Sequence, residues 1–305
     1  MAQKTFLITG AAGSTGRSAT EAALARGHAV RAFVRQKDER STGLEKLGAQ
    51  VVVGDLLNPE DIRAAFKEID AAYFVYPIVP QLIEAGAYFA EAAKAAGVAS
   101  VVNMSQISAR RDATSHAARD HWVVERLFDW TGLAVTHLRP TLFAQNFLDP
   151  TILAAIMERG VISFPFGNGR HAPIAAEDQG RLIAAILADP TPHRGNTYPV
   201  RGSVEMDHFD IAEIMGKALG RAVQYQAADI DEWAARVPLP AFLVQHLCAI
   251  AIDYRAGVFA GTDTIIEKVT GVAPMTFGEF LAKHRVGLDT TESLLAAGAR
   301  TRAAQ

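Results

Sequence analysis

The feature that most constrains the fold of this chain is a glycine-rich turn close to its N-terminus. Residues 4–9 are mostly apolar and β-branched, which predicts a short buried strand. The turn Gly10-Ala11-Ala12-Gly13-Ser14-Thr15-Gly16 follows without a gap, and alanines at helical spacing predict a helix over residues 17–27. This order leaves free backbone N–H groups and the positive end of a helix dipole facing the turn. The pattern therefore predicts a site for the diphosphate of a dinucleotide.

Each glycine of the turn has a separate predicted role. Gly10 permits the tight bend, Gly13 lets the backbone approach the phosphates, and Gly16 lets the helix pack closely on the strand. The spacing is G-x-x-G-x-x-G rather than G-x-G-x-x-G, and a glycine triplet alone also fits an ordinary structural turn. The predicted cofactor contacts in this turn are Gly10, Ala12, Gly13, Ser14, Thr15 and Gly16.

The end of the second predicted strand indicates which dinucleotide binds. A site for NAD has Asp or Glu there, because a carboxylate holds the ribose 2′-hydroxyl. This chain has Arg35 and Lys37 instead, and the next acid is Asp38. A guanidinium binds a 2′-phosphate through bidentate, charge-assisted hydrogen bonds. We therefore predict NADP(H) as the cofactor; the alternative is that Arg35 and Lys37 are solvated loop charges.

Two further strand ends supply predicted cofactor contacts. Asp55 follows the third strand and can accept a hydrogen bond from the adenine amino group, while Leu56 can cover the adenine ring. A helix N-cap role for Asp55 is the alternative, although Asn58, directly before a Pro-Glu-Asp run, fits that role better. Tyr76 and Pro77 follow the fourth strand at the carboxyl edge, where ligands bind in open α/β sheets.

Strands and helices alternate up to residue 147, which predicts an α/β fold with a doubly wound, parallel Rossmann sheet. Beyond that point the alternation is lost, so we predict an NADP-binding domain over 1–147 and a smaller helix-rich lobe over 148–305, whose segments can add strands to the sheet. The predicted strands cover 4–9, 28–35, 50–56, 71–76, 99–104, 133–138, 161–166 and 197–200. The predicted helices cover 17–27, 61–69, 81–96, 115–130, 150–159, 177–187, 207–219, 230–236, 240–260 and 277–284, and the tail 290–305 is either a loose helix or a frayed end.

The composition argues against several classes of function. A formal net charge of -3 without basic blocks gives no support for nucleic-acid binding. A single cysteine excludes an internal disulfide and agrees with a reducing compartment. No signal peptide is apparent, and the longest apolar run, 239–252, is too short and too polar to span a bilayer. We expect a soluble, cytoplasmic monomer or homodimer that binds a small molecule and neither membrane nor nucleic acid.

Several segments, spread over nearly the whole chain, resemble the NmrA-like group of atypical short-chain dehydrogenase/reductases. They read ITGAAGSTG at 8–16, VRAFVR at 30–35, VGDL at 53–56, ERL at 125–127, GL at 132–133, LRPTLFAQN at 138–146, VTG at 269–271 and PMTF at 274–277. The resemblance implies a Rossmann fold and NADP(H). It also implies either an NADPH-dependent reductase of quinones, aromatic dyes or phenylpropanoids, or a protein that only senses the NADP redox state.

The catalytic pair is where the chain departs from that pattern. Orthodox members of the superfamily place Tyr-x-x-x-Lys on the helix after the fifth strand, and counting back from Glu125 those positions are Ala117 and His121. His121 is the best candidate for holding the nicotinamide ribose or relaying a proton, and Ser105 can contact the nicotinamide or its ribose. The alternatives are that His121 is an ordinary histidine on the helix surface, and that Ser105 satisfies a backbone N–H at the end of the strand. Pro140, at the end of the sixth strand, is a further predicted cofactor contact.

Hydride transfer needs no protein acid when the acceptor stabilises its own reduced charge. We therefore predict an NADPH-dependent oxidoreductase that reduces a quinone-like, aromatic or conjugated small molecule. The alternative is a non-catalytic NADP(H)-binding redox sensor or regulator, and an isomerase or dehydratase is a weaker third. Histidine spacing predicts no metal site. The predicted pocket wall, whose residue types also occur in ordinary cores, comprises Ile78, Val79, Phe143, Phe147, Phe164 and Phe166.

Overall fold

The computed structural model describes residues 2–284, so the predicted tail 290–305 lies outside the described residues. Strands β1 to β9 span Thr5–Ile8, Ala29–Val34, Gln50–Val53, Ala71–Phe74, Ser100–Met104, Val135–Pro140, Val161–Phe164, Thr197–Val200 and Gln224–Ala227. Helices α1 to α12 span Ser14–Ala25, Glu39–Lys46, Pro59–Ala65, Leu82–Ala95, His116–Trp130, Pro150–Arg159, Ala176–Ala188, His208–Leu219, Ile230–Arg236, Ala241–Arg255, Ile265–Thr270 and Phe277–Lys283. A 3-10 helix spans Ala144–Leu148.

Seven parallel strands form the central sheet in the order β3-β2-β1-β4-β5-β6-β8. The strand order reverses between β1 and β4, and this reversal opens the crevice in which doubly wound sheets bind ligands. The predicted Rossmann sheet is confirmed. The glycine-rich turn after β1 and the loop after β4 therefore meet at the carboxyl edge, on either side of the crevice.

Helices cover both faces of the sheet, because successive residues of a strand point to opposite sides. Phe6 and Ile8 of β1 pack in one buried cluster with α1, α2, α7 and α11, whereas Leu7 packs in another with α3, α4 and α5. On the second face, Phe89 of α4 contacts Phe74 and Phe128 with ring centroids 4.8 and 6.1 Å apart. Each such buried ring contributes about 2–3 kcal/mol of transfer free energy, so the sheet is held from both sides.

The second half of the chain completes the sheet domain. β8 pairs with β6 and extends the sheet, as an added strand from beyond residue 147. Helix α7 packs along α1, and the two helices approach so closely that a Cβ atom on Gly180 would overlap the backbone of Ser18. The segments before and after residue 147 therefore share one hydrophobic core.

A smaller, mostly helical lobe follows, as the sequence predicts. Its strands β7 and β9 pair as a two-stranded parallel sheet. Its core combines Phe147 of the 3-10 helix, Met215 of α8 and Phe277 of α12. No helix among residues 2–284 has the length and apolar character needed to cross a membrane.

Three short elements, α2, β9 and α11, were not predicted from the sequence. Helix α2 has the polar sequence ERSTGLEK, and it is stabilised by Asp38 and Ser41, which form a reciprocal capping box. Strand β9 is four residues long and pairs with the distant β7. Neither α2 nor β9 carries an apolar periodicity, so the usual signal for predicting them is missing. Helix α11 is apolar but only six residues long.

Two histidines, His171 and His208, are buried in the lobe with ring centroids 5.2 Å apart. Within residues 2–284, none of their four ring nitrogens has a hydrogen-bond partner. Burial lowers the pKa of His208 to about 3, and burial together with His208 lowers the pKa of His171 well below 6.5. Both rings are therefore neutral in the folded chain. Below pH 6.5 these histidines bind protons in the unfolded chain but not in the folded chain. The stability that they contribute above that pH is therefore lost as the pH falls.

We expect the free energy of unfolding to decrease between pH 7 and pH 5, by on the order of 1 kcal/mol per pH unit for each such histidine. Urea unfolding at several pH values measures this slope. His208→Phe keeps an aromatic ring and removes the titration, so its slope should be flatter. His116→Ala removes an exposed imidazole and serves as the control. Equal slopes for the wild type and His208→Phe would contradict the expectation.

Candidate functional site

The glycine-rich turn lies between β1 and α1 at the carboxyl edge of the sheet. Gly10 has a φ of +54°, a left-handed conformation that favours glycine. Its carbonyl oxygen accepts a hydrogen bond from the Gly13 N–H at 2.8 Å. A Cβ atom on Gly16 would overlap that same carbonyl oxygen. Helix α1 can therefore begin this close to β1 because position 16 has no side chain.

The N-terminus of α1 fits the diphosphate of a dinucleotide. Its N-cap residue Gly13 has no side-chain oxygen, and the first turn holds no acidic residue. The first N–H groups of the helix are thus left for an anion, which the helix dipole also favours. Ser14 is exposed here and Ala12 is half-buried. The Thr15 hydroxyl instead lies in the interior, 2.9 Å from the Tyr73 hydroxyl, so Thr15 offers a ligand only its backbone.

Arg35 and Lys37 follow β2 at the same edge. Arg35 is exposed and forms no salt bridge with any residue between 2 and 284. The Lys37 ammonium lies 2.7 Å from the Glu45 carboxylate of α2. An exposed ion pair of this kind is worth less than about 1 kcal/mol. Arg35 is therefore free to bind an anion, whereas Lys37 must first leave Glu45 at a small cost.

The ends of β2, β3 and β4 bring Arg35, Asp55 and Tyr76 close together. Burial and the nearby Asp55 carboxylate raise the pKa of the Tyr76 phenol, and the Arg35 guanidinium partly opposes this shift. Pro77 is exposed directly after Tyr76. The predicted contacts for the adenosine half of a dinucleotide thus lie on neighbouring strand ends.

Asp55 is partly engaged by the backbone. Its Oδ1 accepts a hydrogen bond from the Leu57 N–H at 2.9 Å, which leaves Oδ2 without a partner among the described residues. Asn58 caps α3 by accepting from a backbone N–H at 3.1 Å, so the N-cap alternative for Asp55 is wrong. Leu56 is half-buried against the core.

A buried ion pair lies beneath the carboxyl ends of β5 and β6. Glu125 of α5 is fully buried, and Arg139 of β6 donates to its two carboxylate oxygens at 2.8 and 2.6 Å. Burial would raise the pKa of Glu125, but the contact with Arg139 brings it below its usual value. Ser105 is buried beside Glu125, and its hydroxyl, which makes no well-formed hydrogen bond among residues 2–284, still helps Arg139 to lower the pKa of that carboxyl. Pro140 is buried at the end of β6.

His121 lies one helical turn before Glu125, on the same inward face of α5 as Ala117. It is only 3% exposed, so the alternative of a helix-surface histidine is wrong. No described residue forms a hydrogen bond with its Nδ1. Burial and the neighbouring His246 of α10 lower the pKa of His121 to about 4, against the opposing effect of Glu125. At pH 7 the ring is neutral, so it can exchange hydrogen bonds with a ligand but does not rest as an imidazolium.

The phenylalanines predicted to line one pocket do not form a common wall. Phe147 is fully buried in the lobe core and Phe166 is 2% exposed in a neighbouring cluster, so these two predictions are corrected. The physical reason is ring packing: Phe147 contacts Phe277 edge-on at 5.3 Å, and Phe166 stacks on Tyr254 at 4.4 Å. The remaining predicted wall residues are half-buried or exposed: Ile78, Val79, Phe143 and Phe164.

Other surface features lie away from this edge. One shallow depression is lined by Arg31 and Gln50 towards the opposite ends of β2 and β3, and another by Glu213 and Lys217 of α8. Within residues 2–284, no group of three or more His, Cys, Asp or Glu side chains could hold a metal ion. The carboxyl edge between β1 and β4 thus remains the candidate site.

Sequence reasoning did not single out three side chains that border the site, Glu125, Arg139 and His246. Glu125 and Arg139 both lie in segments that carry the family resemblance, but nothing in the sequence indicates that they pair. His246 interrupts an apolar helix. A single histidine within an apolar run was the signal that could have identified it.

Comparison with known proteins gives a family match and similar chains. The model of the NmrA-like family matches residues 2–281. The NAD(P)H azoreductase of Xenophilus azovorans is 31% identical over 288 residues, which are 92% of this chain and 97% of the azoreductase.

Similar solved structures have the same fold. An NADPH-dependent quinone oxidoreductase from Escherichia coli, solved with NADPH, has a TM-score of 0.81 at 24% identity and covers 91% of this chain and 99% of its own. NmrA, a negative transcriptional regulator, has a TM-score of 0.76 at 21% identity over 92% of this chain and 95% of its own. At sequence identities of 24% and 21%, these similarities establish a shared fold and nothing about activity.

Proposed function

The chain belongs to the NmrA-like family, and on that premise we propose that it is an NAD(P)H-dependent oxidoreductase. It binds NADP(H), prefers NADPH, and passes hydride to a quinone-like, aromatic or conjugated small molecule. The observation that carries the proposal is the glycine-rich turn at the N-terminus of α1, with the unpaired Arg35 at the neighbouring strand end. The relationship to an azoreductase supports an aromatic acceptor.

Different residues at the carboxyl edge bind different parts of the cofactor. The N–H groups after Gly13 bind the diphosphate, Arg35 binds the 2′-phosphate, and the free oxygen of Asp55 accepts from the adenine amino group. The nicotinamide supplies the hydride when the cofactor is bound. Ser105, directly after β5, and the neutral His121, in the second turn of α5, hydrogen-bond the nicotinamide ribose or the acceptor.

The neutral state of His121 favours particular acceptors. Because the pKa of His121 is about 4, few rings carry a proton to donate at pH 7. The Glu125 carboxylate and the Arg139 guanidinium neutralise one another. An ordinary ketone needs a proton for its alkoxide, whereas a quinone or a conjugated dye delocalises the charge it gains. The site therefore fits acceptors of the second kind.

Oxidation of NADPH against a panel of quinones, azo dyes, cationic dyes and enones tests the proposal. Turnover with at least one of them is expected, and a simple aliphatic ketone serves as the negative control. The alternative, a redox sensor or regulator, predicts no turnover with any acceptor but tight and unequal binding of NADP+ and NADPH. That outcome would overturn the reductase proposal.

Arg35→Ala is expected to weaken NADPH binding by about 2 kcal/mol, roughly 30-fold, because a charge-assisted hydrogen bond to the 2′-phosphate is lost. NADH has no 2′-phosphate, so its affinity should hardly change. Titration of cofactor fluorescence measures both constants. Lys37→Ala is the matched control with a smaller expected effect, since Lys37 is paired with Glu45. Equal losses for NADPH and NADH would refute the assignment of Arg35.

His121→Ala is expected to reduce kcat roughly tenfold or more, because the ring holds the ribose or the acceptor by hydrogen bonds. Steady-state rates with the best acceptor of the panel measure the change. Asp120→Ala, on the adjacent position of α5, controls for a general disturbance of the helix. An unchanged kcat in His121→Ala would show that the ring has no part in the reaction.

A further inference from the structure

A connecting segment, residues 105–115, joins β5 to α5 at the carboxyl edge. It begins with Ser105, and α5 carries His121 in its second turn. The two residues proposed to bind the nicotinamide ribose or the acceptor thus lie at the start of the segment and just beyond its end. The segment itself contains neither a helix nor a strand, so its shape depends on contacts with the rest of the chain.

Within this segment, Arg110 forms an ion pair with Asp253 of the lobe helix α10. Arg110 Nη1 donates to Asp253 Oδ2 at 2.8 Å, and Nη2 donates to Oδ1 at 2.7 Å. An arginine that binds both oxygens of a carboxylate fixes the angle between the two groups as well as their distance. The Asp253 side chain is 6% exposed and that of Arg110 is 37% exposed. The ion pair therefore holds the segment against α10 in one orientation.

A series of contacts leads from Arg110 back to Ser105. Arg110 Nη1 also donates to the Ser108 carbonyl oxygen at 3.3 Å, and the Ser108 hydroxyl donates to the Gln106 side-chain oxygen at 2.8 Å. Gln106 directly follows Ser105 in the chain. The next residue, Ile107, packs against a buried apolar cluster to which α10 contributes. The end of the segment that carries Ser105 is thus fixed to α10 by polar and apolar contacts.

The other end of the segment is held by the same helix. The Gln245 side chain accepts from the His116 N–H at 3.0 Å and donates to the Thr114 carbonyl oxygen at 2.9 Å. The hydroxyl of Ser115, the N-cap residue of α5, lies 2.8 Å from His246 Nδ1. Helix α10 therefore contacts the segment on the side of Ser105 and again where α5 begins.

The adenosine half of the predicted cofactor site has no such connection. Among residues 2–284, no hydrogen bond or ion pair joins α10 to the glycine-rich turn, to Arg35 or to Asp55. Loss of a contact between α10 and the segment should therefore disturb the reacting end of the site and spare the end that binds adenosine.

We propose that α10 positions the connecting segment for hydride transfer, with Asp253 acting through Arg110 as a positioning residue for Ser105. This inference rests on the proposed function. Hydride transfer depends on holding the cofactor and the acceptor at the right distance and angle, and a displacement of about 1 Å can cost a large part of the rate. Asp253 and Arg110 need no contact with the cofactor or the acceptor to have this effect.

A double-mutant cycle on the ion pair tests the proposal. Asp253→Ala and Arg110→Ala should each lower kcat about tenfold with the best acceptor of the panel. The dissociation constant for NADPH should stay within about twofold, because the adenosine contacts are intact. The double variant should lose no more than either single variant, since both changes remove the same contact. Losses of kcat that multiply in the double variant, or an unchanged kcat in Asp253→Ala, would overturn the proposal.

Two further variants separate positioning from general support of the fold. Asp253→Asn keeps the size of the side chain and one oxygen acceptor, so it should fold and lose only about threefold in kcat. Arg170→Ala is the matched control, because Arg170 is 44% exposed and pairs with Glu205 and Asp207 within the lobe, each at 3.4 Å. It should lower thermal stability and leave kcat unchanged. A tenfold loss of kcat in Arg170→Ala would show that any loosening of the lobe slows the reaction, which contradicts a specific role for Asp253.

Amide hydrogen exchange of the full chain measures the order of the segment without any turnover. The N–H groups of Ile107 and Ala109 donate to the carbonyl oxygens of Pro140 and Gln106, each at 3.0 Å. In Asp253→Ala these two amides should exchange at least about tenfold faster, whereas the Arg17 amide of α1 should keep its rate. Unchanged exchange at Ile107 and Ala109 would overturn the proposal even if kcat fell.

The two proposals fail in different ways. If the wild type reduces none of the acceptors, the proposed function is wrong, and hydrogen exchange still decides whether Asp253 fixes the segment. If the wild type reduces an acceptor and Asp253→Ala does so equally fast, only the positioning role is wrong.

Discussion

Replacing Gly16 with alanine is expected to abolish NADPH binding and to destabilise the whole chain. The added Cβ would overlap the Gly10 carbonyl oxygen and lie 2.9 Å from the Ala11 Cα. All of these atoms belong to the backbone, so no side-chain rotation relieves the overlap. Helix α1 must move away from β1, and the N–H groups that bind the diphosphate move with it. We expect at least a roughly 100-fold loss of affinity and a loss of about 2–3 kcal/mol in the free energy of unfolding.

Gly278→Ala is the matched control for this change. Gly278 lies within α12, and nothing lies within 4 Å of an added Cβ. Alanine there should leave NADPH affinity unchanged and raise stability by up to about 1 kcal/mol through helix propensity. Cofactor fluorescence and urea unfolding measure the two quantities for both variants. If Gly16→Ala bound NADPH as tightly as Gly278→Ala, the contact between α1 and β1 would not position the phosphates.

Arg139→Met is expected to cost about 3–5 kcal/mol in the free energy of unfolding at pH 7. The change removes the guanidinium that hydrogen-bonds Glu125, and it leaves the buried carboxylate with only the longer contact to the Arg126 guanidinium, at 3.5 Å, among the ion pairs of residues 2–284. Because Arg139 holds the pKa of Glu125 low, its loss raises that pKa, and the buried carboxyl then takes up a proton. The destabilisation should therefore be smaller at pH 5 than at pH 7. Urea unfolding of both proteins at the two pH values measures it.

The double variant Glu125→Met with Arg139→Met should recover most of the lost stability, since no charge then remains buried. The exposed pair of Arg236 and Glu232, with side chains 72% and 66% exposed, provides the comparison. Arg236→Ala should cost less than about 0.5 kcal/mol. Similar losses of unfolding free energy in Arg139→Met and Arg236→Ala would show that the buried pair stabilises the chain no more than the exposed pair does.

Much of the fold could be predicted because its elements carry strong local signals. Helix α6 and strand β8 were predicted at their observed bounds, and the alternation of strands and helices gave the doubly wound sheet. The place of β8 beside β6 could not be predicted, since strand order depends on contacts between distant residues. The packing of α7 against α1 could not be predicted for the same reason.

The candidate site was only partly predictable. The glycine turn and Arg35 depend on local sequence, and the structure places both at the edge that the sequence indicated. The burial of His121 could have been inferred, because it shares the face of Ala117, Val124 and Phe128 at helical spacing. The burial of the aromatic residues could not be predicted in this way. Phe143 and Phe147 lie in similar local sequence, and only the fold buries Phe147 completely while Phe143 stays half-buried. The contact of His246 with Ser115 could not be predicted either, because the two residues are 131 positions apart.

The close packing of α7 on α1 has a consequence for folding of the chain during its synthesis on the ribosome. When residue 147 has been made, α1 lacks the helix that covers Ala19 and Ala23, and β6 still has an unpaired edge. At roughly 10 residues per second, α7 and β8 follow only after several seconds. During that interval the nascent chain displays an apolar helix face and an open strand edge, both of which promote aggregation. Translation that delays the release of α7 and β8 from the ribosome should therefore increase the demand for chaperones.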